Sequence, residues 1–452
     1  EPRDVAPPVD STVSSDVLKD YGFLAYGADP VQLGVAAATF DATRVGVLHG
    51  VALNRDEVPI EGAKVVVLDH PEYGWTFTRT DGKYDMLVHG GGSVSVVITK
   101  PGYEALTRTV LVPWLDHAQV PMVVLTARSP ETQELSLGAL TTVVQGPVQT
   151  DDDGSRGVVL VWPSGGQVTL QRPDGTTSSP SNVHLRLTEY SVGKHGVSAL
   201  PAELPPTSAY GYAVAVEVDE AQAFGANQVL LSRPVPLYLD NFLGLPVGIE
   251  VPLGYLSRAD ATWVAEPTGR VINVLPFGGG VDVDGDGIAD TGTKLNSLGI
   301  SIEELEQLAA TYPAGRGVLR VALPQLGDFA IAWGVAGPTD VMSCAKCLPV
   351  LRRPSTCEND AFGSLLGCES QTLGEDIALV GSPYGLHYQS QRAEGALRDA
   401  SVTLPIAAAS LPTSLRRIVV EYQVAGRVES EVLEPTPNAK RTYGWDGKDD
   451  WG

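Results

Sequence analysis

Along most of this chain Val, Ile, Leu and Thr alternate with polar residues. That period of two predicts strands with one buried face. In the first third it marks Val47–Leu53, Lys64–Leu68, Thr76–Arg79, Ser93–Ile98, Leu106–Val112 and Met122–Leu125, with turns at Asp81-Gly82, Gly90-Gly91-Gly92 and Pro101-Gly102. Strand-like runs return at Gly157–Trp162, Val183–Thr188, Ala213–Val218, Gln228–Leu231, Gly317–Leu323 and Asp328–Gly334. A third series follows at Ile377–Gly381, Tyr384–Tyr388, Ala400–Leu404, Leu415–Gln423 and Tyr443–Trp445. Only residues near 301–312 carry a helical period, with Ser301 as N-cap and Glu304 as its capping-box partner. The expected fold is mostly β, several β-sandwich modules in series with one short helix beside an acidic loop.

The pattern divides the chain. Residues 1–45 are a leader and an N-terminal segment; the first 20 carry Pro, Ser and Asp without a period and are expected to lack order. The modules are then 46–128, 129–337, a cysteine-containing linker at 338–372 and a last β-module at 373–452. The ending Trp445-Asp446-Gly447-Lys448-Asp449 reads as a tight turn, with Trp445 packed inward, after which a further strand is expected.

Composition narrows the function. The chain has 452 residues and a net charge of −23, which disfavours nucleic acid and anionic membranes as partners. No run reaches the roughly 18 uninterrupted apolar residues of a membrane span. The first residues show no signal-peptide core.

One stretch carries chemistry. Asp282-Val-Asp284-Gly-Asp286-Gly287-Ile288-Ala-Asp290 places carboxylates at every second position, with glycine where the chain must turn. The spacing follows the first nine positions of an EF-hand loop, in which side chains 1, 3, 5 and 9 and the carbonyl at 7 surround calcium. Close carboxylates repel unless a cation sits among them. Asp282, Asp284, Asp286, Asp290 and the Ile288 carbonyl are therefore the expected Ca2+ ligands. Position 12 holds Thr293 instead of the usual glutamate, so Glu304, or failing it Glu303, is expected to supply the missing acid. The four cysteines Cys344, Cys347, Cys357 and Cys368 crowd into one region. They form two disulfides or a zinc site; one CxxC knuckle instead of two favours disulfides, with Cys344 and Cys347 not paired to each other.

Enzyme signatures are missing. His89-Gly90-Gly91-Gly92 imitates an oxyanion loop, but no Gly-x-Ser-x-Gly accompanies it. There is no His-Glu-x-x-His and no phosphate-cradling glycine loop. No catalytic set is expected. Thr150-Asp151-Asp152-Asp153-Gly154 reads as an acidic turn.

The run Val51-Ala-Leu-Asn-Arg-Asp-Glu-Val-Pro-Ile60-Glu-Gly62-Ala-Lys-Val-Val-Val67, followed by Thr80-Asp81-Gly82-Lys83-Tyr84, resembles the transthyretin-like, carboxypeptidase-regulatory-like domain. Further motifs are His184-Leu-Arg-Leu-Thr-Glu189-Tyr190, Pro234-Val-Pro-Leu-Tyr238 through Gly248, and Ser382-Pro383-Tyr384-Gly-Leu386-His387-Tyr388. With the final Trp445-Asp446-Gly447 they resemble the region before the repeats in bacterial Rhs proteins and the related teneurins. The resemblance implies a non-catalytic region whose 373–452 module is a fibronectin-like plug against a tyrosine–aspartate repeat shell downstream in the same polypeptide. It also implies a secreted or cell-surface setting and toxin delivery in the bacterial case. The rival expectation is an adhesin that binds a cell-surface protein or glycan, for which Trp75, Trp114, Trp162 and Trp263 are the candidate aromatics.

Overall fold

The computed structural model describes residues 2–7, 16–193, 195–205, 208–276, 280–334, 365–366, 373–380, 385–389, 401–413, 415–424 and 427–445. The four cysteines lie outside them. The chain forms two compact units, Glu1–Ala336 and Gly337–Gly452.

The first unit begins with a β-sandwich of two four-stranded sheets. In one sheet Val45–Leu53 pairs antiparallel with Lys83–His89 and parallel with His117–Gln119 and Val123–Val124. The other runs Trp75–Phe77, Lys64–Val67, Gly92–Thr99, Leu106–Val112. Leu48, Val65, Met86, Val96, Ile98 and Leu106 are fully buried between them. Gly82 has φ +77, and a Cβ there would lie 2.6 Å from the Ala52 carbonyl oxygen. That close approach explains the glycine of the Thr80-Asp81-Gly82 turn.

The N-terminal segment packs on this sandwich. Val17–Tyr21 is helical, contrary to the expectation of disorder, because the Asp16 side chain caps it by accepting from the Lys19 amide and Leu24, just after it, is fully buried. Gln32 is buried and satisfies the Leu87 amide and the Tyr73 and Leu87 carbonyls.

Most of the rest of this unit is one antiparallel twelve-stranded sheet, beside which Gln149–Asp151 pairs with Gly154–Arg156 in a separate hairpin. The axis of the sheet is Gly317–Gly334, a single strand of 18 residues. The sequence pattern divides it in two at Pro324-Gln-Leu-Gly327. It stays continuous because Gln228–Asp240 shifts register between Leu230 and Val235, opposite Pro324, and resumes pairing on either side. Its N-terminal half also pairs with Thr262–Val274 and its C-terminal half with Ser208–Val218 and Glu250–Ser257. A second core lies where helices Thr293–Ser297 and Ile302–Thr311 cover the sheet, around Tyr238, Ile272, Leu308 and Val318.

Arginines fasten the two modules of this unit. Arg55 donates to the carbonyls of Glu189 and Tyr190 at 3.0 and 2.9 Å, and also to Val192. Buried Arg108 donates to the Leu200 and Ser198 carbonyls. Arg258 reaches the Ala105 carbonyl and pairs with Asp328, which also accepts from Tyr190.

Among its described residues the second unit consists of small sheets: Leu365–Leu366 with Leu373–Ala378 and Gly385–Gln389, Ser401–Pro405 with Lys440–Gly444, and Ile418–Val424 with Arg427–Leu433. Trp445, expected to pack inward, is 38% exposed.

Candidate metal centre

The acidic loop leaves the sheet at Val281–Asp282, which pairs with Asn273 and Val274. Positive φ at Gly285 and Gly287 (+87 and +79) turns the backbone. Its amides then converge on the first carboxylate: Asp282 accepts from Gly285 at 2.7 Å and from Gly287 at 2.8 Å. Asp290 closes the loop, its carboxylate accepting from the Val283 amide at 2.7 Å and its own amide donating to Val281. The loop leans on the Val247–Gly248 turn so tightly that a Cβ on Gly285 would lie 2.9 Å from the Val247 oxygen.

These constraints gather three of the expected ligands. Asp282, Asp284 and Asp290 each offer a carboxylate oxygen, all within 4.8 Å of one another. Asp282 and Asp290 are only 2% and 7% exposed, while Asp284 is open to solvent. Asp286 is not in the gathered set; its carboxylate accepts from the Ile288 amide at 2.8 Å. Ile288 itself is exposed.

Glu304 is placed elsewhere than expected. It completes the capping box with Ser301, and the same carboxylate is buried against strand Gly317–Gly334. There it accepts from Arg320 through Nε at 2.7 Å and Nη2 at 3.1 Å, and from the Tyr238 hydroxyl. A buried carboxylate needs such partners, so Glu304 serves the core beneath its helix. Glu303 is exposed at the helix start.

The group missed in the sequence is Lys294. It lies in the first turn of helix Thr293–Ser297, and its ammonium binds Asp290 at 2.6 Å and also Asp284. The hydrogen bond from Lys294 holds the Asp284 carboxyl below the ordinary range, and Asp284 with Asp290 pushes the lysine up. No helical pairing rule announces it, because Asp290 precedes helix Thr293–Ser297 and Gly292 between them has φ +58. Oxygen donors around a positive group suit a hard cation, and three carboxylates leave room for carbonyl and water ligands. The Asp282, Asp284 and Asp290 cluster can hold a metal ion.

Other acidic and histidine groups are structurally engaged. Asp151, in the acidic turn, is held bidentate by Arg156, with both contacts at 2.8 Å, which keeps its carboxyl far below the usual range. His49 bridges buried Asp85 and His117, each at 2.6 Å. Burial opposes ionisation of Asp85, but His49 and Arg79 outweigh it and lower its pKa.

Comparison with known proteins bears on the first module. Residues 40–125 match the family described as the teneurin TTR-like domain. Mouse teneurin-3 is 30% identical over 118 residues, 25% of this chain and 4% of that protein. Chicken teneurin-1 is 33% identical over 87 residues, 19% of this chain and 3% of that protein. Teneurin-m of Drosophila melanogaster is 30% identical over 104 residues, 23% of this chain and 4% of its own length. The matched stretch is thus a small fraction of each relative. A streptococcal ancillary pilin covers 39% of this chain at 10% identity, but its TM-score of 0.18 carries no weight. The two motifs around Gly62 and Gly82, the paired four-stranded sheets and these matches agree: residues 40–125 are a teneurin-type transthyretin-like domain, through which the chain is a distant and partial relative of the teneurins.

Proposed function

We propose that this chain is a non-catalytic, calcium-stabilised structural region of a secreted or cell-surface protein of the teneurin and Rhs kind. The observation that carries the reading is the Asp282, Asp284 and Asp290 cluster, held by backbone amides and balanced by one lysine. Calcium displaces the Lys294 ammonium, and Asp286 and the Ile288 carbonyl are the next ligands along the loop. The ion ties strand Thr262–Val274 to the helices that cover the second core. A ligand that binds only the folded state stabilises it by about 2.7 kcal/mol at a hundredfold excess over Kd.

The C-terminal unit is the docking part in this proposal. Val419 and Val432 face each other across its hairpin, 56% and 64% exposed. Ile377 and Leu386 form a second exposed apolar pair. Such rows suit burial against a repeat shell downstream in the same polypeptide.

Metal analysis and calcium titration test the cation. Chelator should lower the melting temperature, Asp284→Ala should reproduce that loss, and Lys294→Met should tighten calcium binding. A melting temperature unmoved by calcium or chelator overturns the cation reading. Co-expression with tyrosine–aspartate repeats tests the docking; a C-terminal unit without affinity for them overturns that part.

A further inference from the structure

Two histidines of the first sandwich share a single proton. His49, on strand Val45–Leu53, is 3% exposed and donates from Nδ1 to the buried Asp85 carboxylate at 2.6 Å. Asp85 also accepts from Arg79. Burial opposes the charge of Asp85, but His49 and Arg79 outweigh it, so the carboxylate stays ionised and keeps a proton on His49 Nδ1. His49 Nε2 then faces Nδ1 of His117, on the neighbouring parallel strand His117–Gln119, at 2.6 Å. Two ring nitrogens at that distance hold one hydrogen between them. Either neutral His117 donates to neutral His49, or His49 is the imidazolium and donates to His117.

The pair can therefore take up one proton without losing a contact, and Asp85 favours that uptake. A second proton sets two N–H groups head to head and places two cations with ring centres 4.9 Å apart, which repel. His117 must then turn away from His49. Three further charges lie near: Asp116, whose carboxylate accepts from the His117 amide at 2.8 Å, and Lys19 and Asp20 on helix Val17–Tyr21. The two acids favour a proton on His117 and the lysine opposes it, but all three are exposed and screened by solvent. The His117 ring is also the seat of the N-terminal segment. Tyr21, the last residue of that helix, meets it at a ring-centre distance of 4.8 Å and an angle of 89°. We propose that His49 and His117 form a proton-operated latch for this helix: one shared proton or one added proton keeps it docked, and a second added proton releases it. Buried Leu24 and Gln32 hold the rest of the segment, so only the helical end is freed. The inference stands apart from the cation site.

A released histidine gains its proton near the ordinary value of about 6.5. Below that pH the released form holds one proton more than the docked form, so its share rises about tenfold per unit of pH. Well above it the two forms hold equal numbers and docking does not depend on pH. The test titrates the full chain from pH 8 to 5 with isotope-labelled histidine and tyrosine rings, the signals assigned from His117→Asn and Tyr21→Phe. The expected result is a Tyr21 signal that stays fixed while the pair takes its first proton and moves together with His117 during the second. His49→Gln gives a charged His117 an amide oxygen to donate to, and His117→Asn can turn to donate or accept. In both variants the Tyr21 signal, wherever it lies at pH 8, should no longer move as pH falls. His89→Gln, which alters the acceptor of the Asp41 amide at the far end of the segment, should leave the release in place. A Tyr21 signal that stays fixed while both histidines become charged, that moves in both pair variants, or that stops moving in His89→Gln overturns the proposal.

Discussion

Glu104 sits at the junction of the two modules and is 2% exposed. One of its oxygens has no hydrogen-bond partner among the described residues. Arg128 stands 3.6 Å away, but it is drawn to Glu217, to which its Nε donates at 3.1 Å. Burial, with Glu217 and Asp328 adding to it, outweighs Arg128 and pushes the Glu104 carboxyl up to about 8. The ordinary value is near 4.5. Below that pH both folded and unfolded chains hold the proton and nothing is lost. As pH rises from about 4.5 to about 8, the unfolded chain releases its proton and the folded one retains it, so stability falls; above 8 the loss is complete. Each unit of difference is worth about 1.4 kcal/mol, which makes the whole loss on the order of 3–5 kcal/mol. Glu104→Gln removes the titration while keeping shape. It should be nearly neutral at pH 5 and stabilising by on the order of 3 kcal/mol at pH 8.5. Calorimetric melting of both proteins at pH 5, 6.5 and 8.5 measures this, at roughly 1–2 °C per kcal/mol for a body of this size. A difference between the two that does not change with pH, or that favours Glu104 as pH rises, refutes the reasoning.

Two further outcomes follow from the packing. Arg320→Met leaves the Glu304 carboxylate buried without a cation and should cost about 3–5 kcal/mol in denaturant unfolding; calcium affinity should be unchanged, whereas a large drop in it would return Glu304 to the metal site. Gly82→Ala forces a Cβ against the Ala52 carbonyl at positive φ and should destabilise the first sandwich by about 2 kcal/mol or more, read as faster hydrogen exchange in Val45–Leu53; unchanged exchange would count against the turn geometry.

The parts legible in the sequence are those whose cause is local. The Asp282–Asp290 run announces its own curl because acids and glycines alternate within nine positions. The first sandwich is legible because two turn motifs occur in order. The rest depends on partners distant along the chain. Nothing near Glu304 signals Arg320, which arrives on a strand that faces the helix. Arg55 and Arg108 bind backbone carbonyls, and a carbonyl has no sequence signature. Pro324 marks a turn in any local reading, and only the register shift at Leu230 to Val235 in the opposing strand lets Gly317–Gly334 run through it.

That long strand also sets the order in which this protein can be made. Val216 pairs with Gly327, Leu237 with Val321, Leu253 with Ile331 and Arg270 with Arg320. All four neighbours therefore precede their common partner in synthesis. At about 5–20 residues per second, they wait on the order of ten seconds for residue 334 to emerge, with open edges on every one. Loop closure over such separations is slow, and exposed edges invite pairing with other chains. The transthyretin-like sandwich meets no such delay, since all its strands are complete by Val124. The ribosome thus releases a finished first module well before the second can close, and a chain truncated anywhere before Gly317 would leave that second module without its axis.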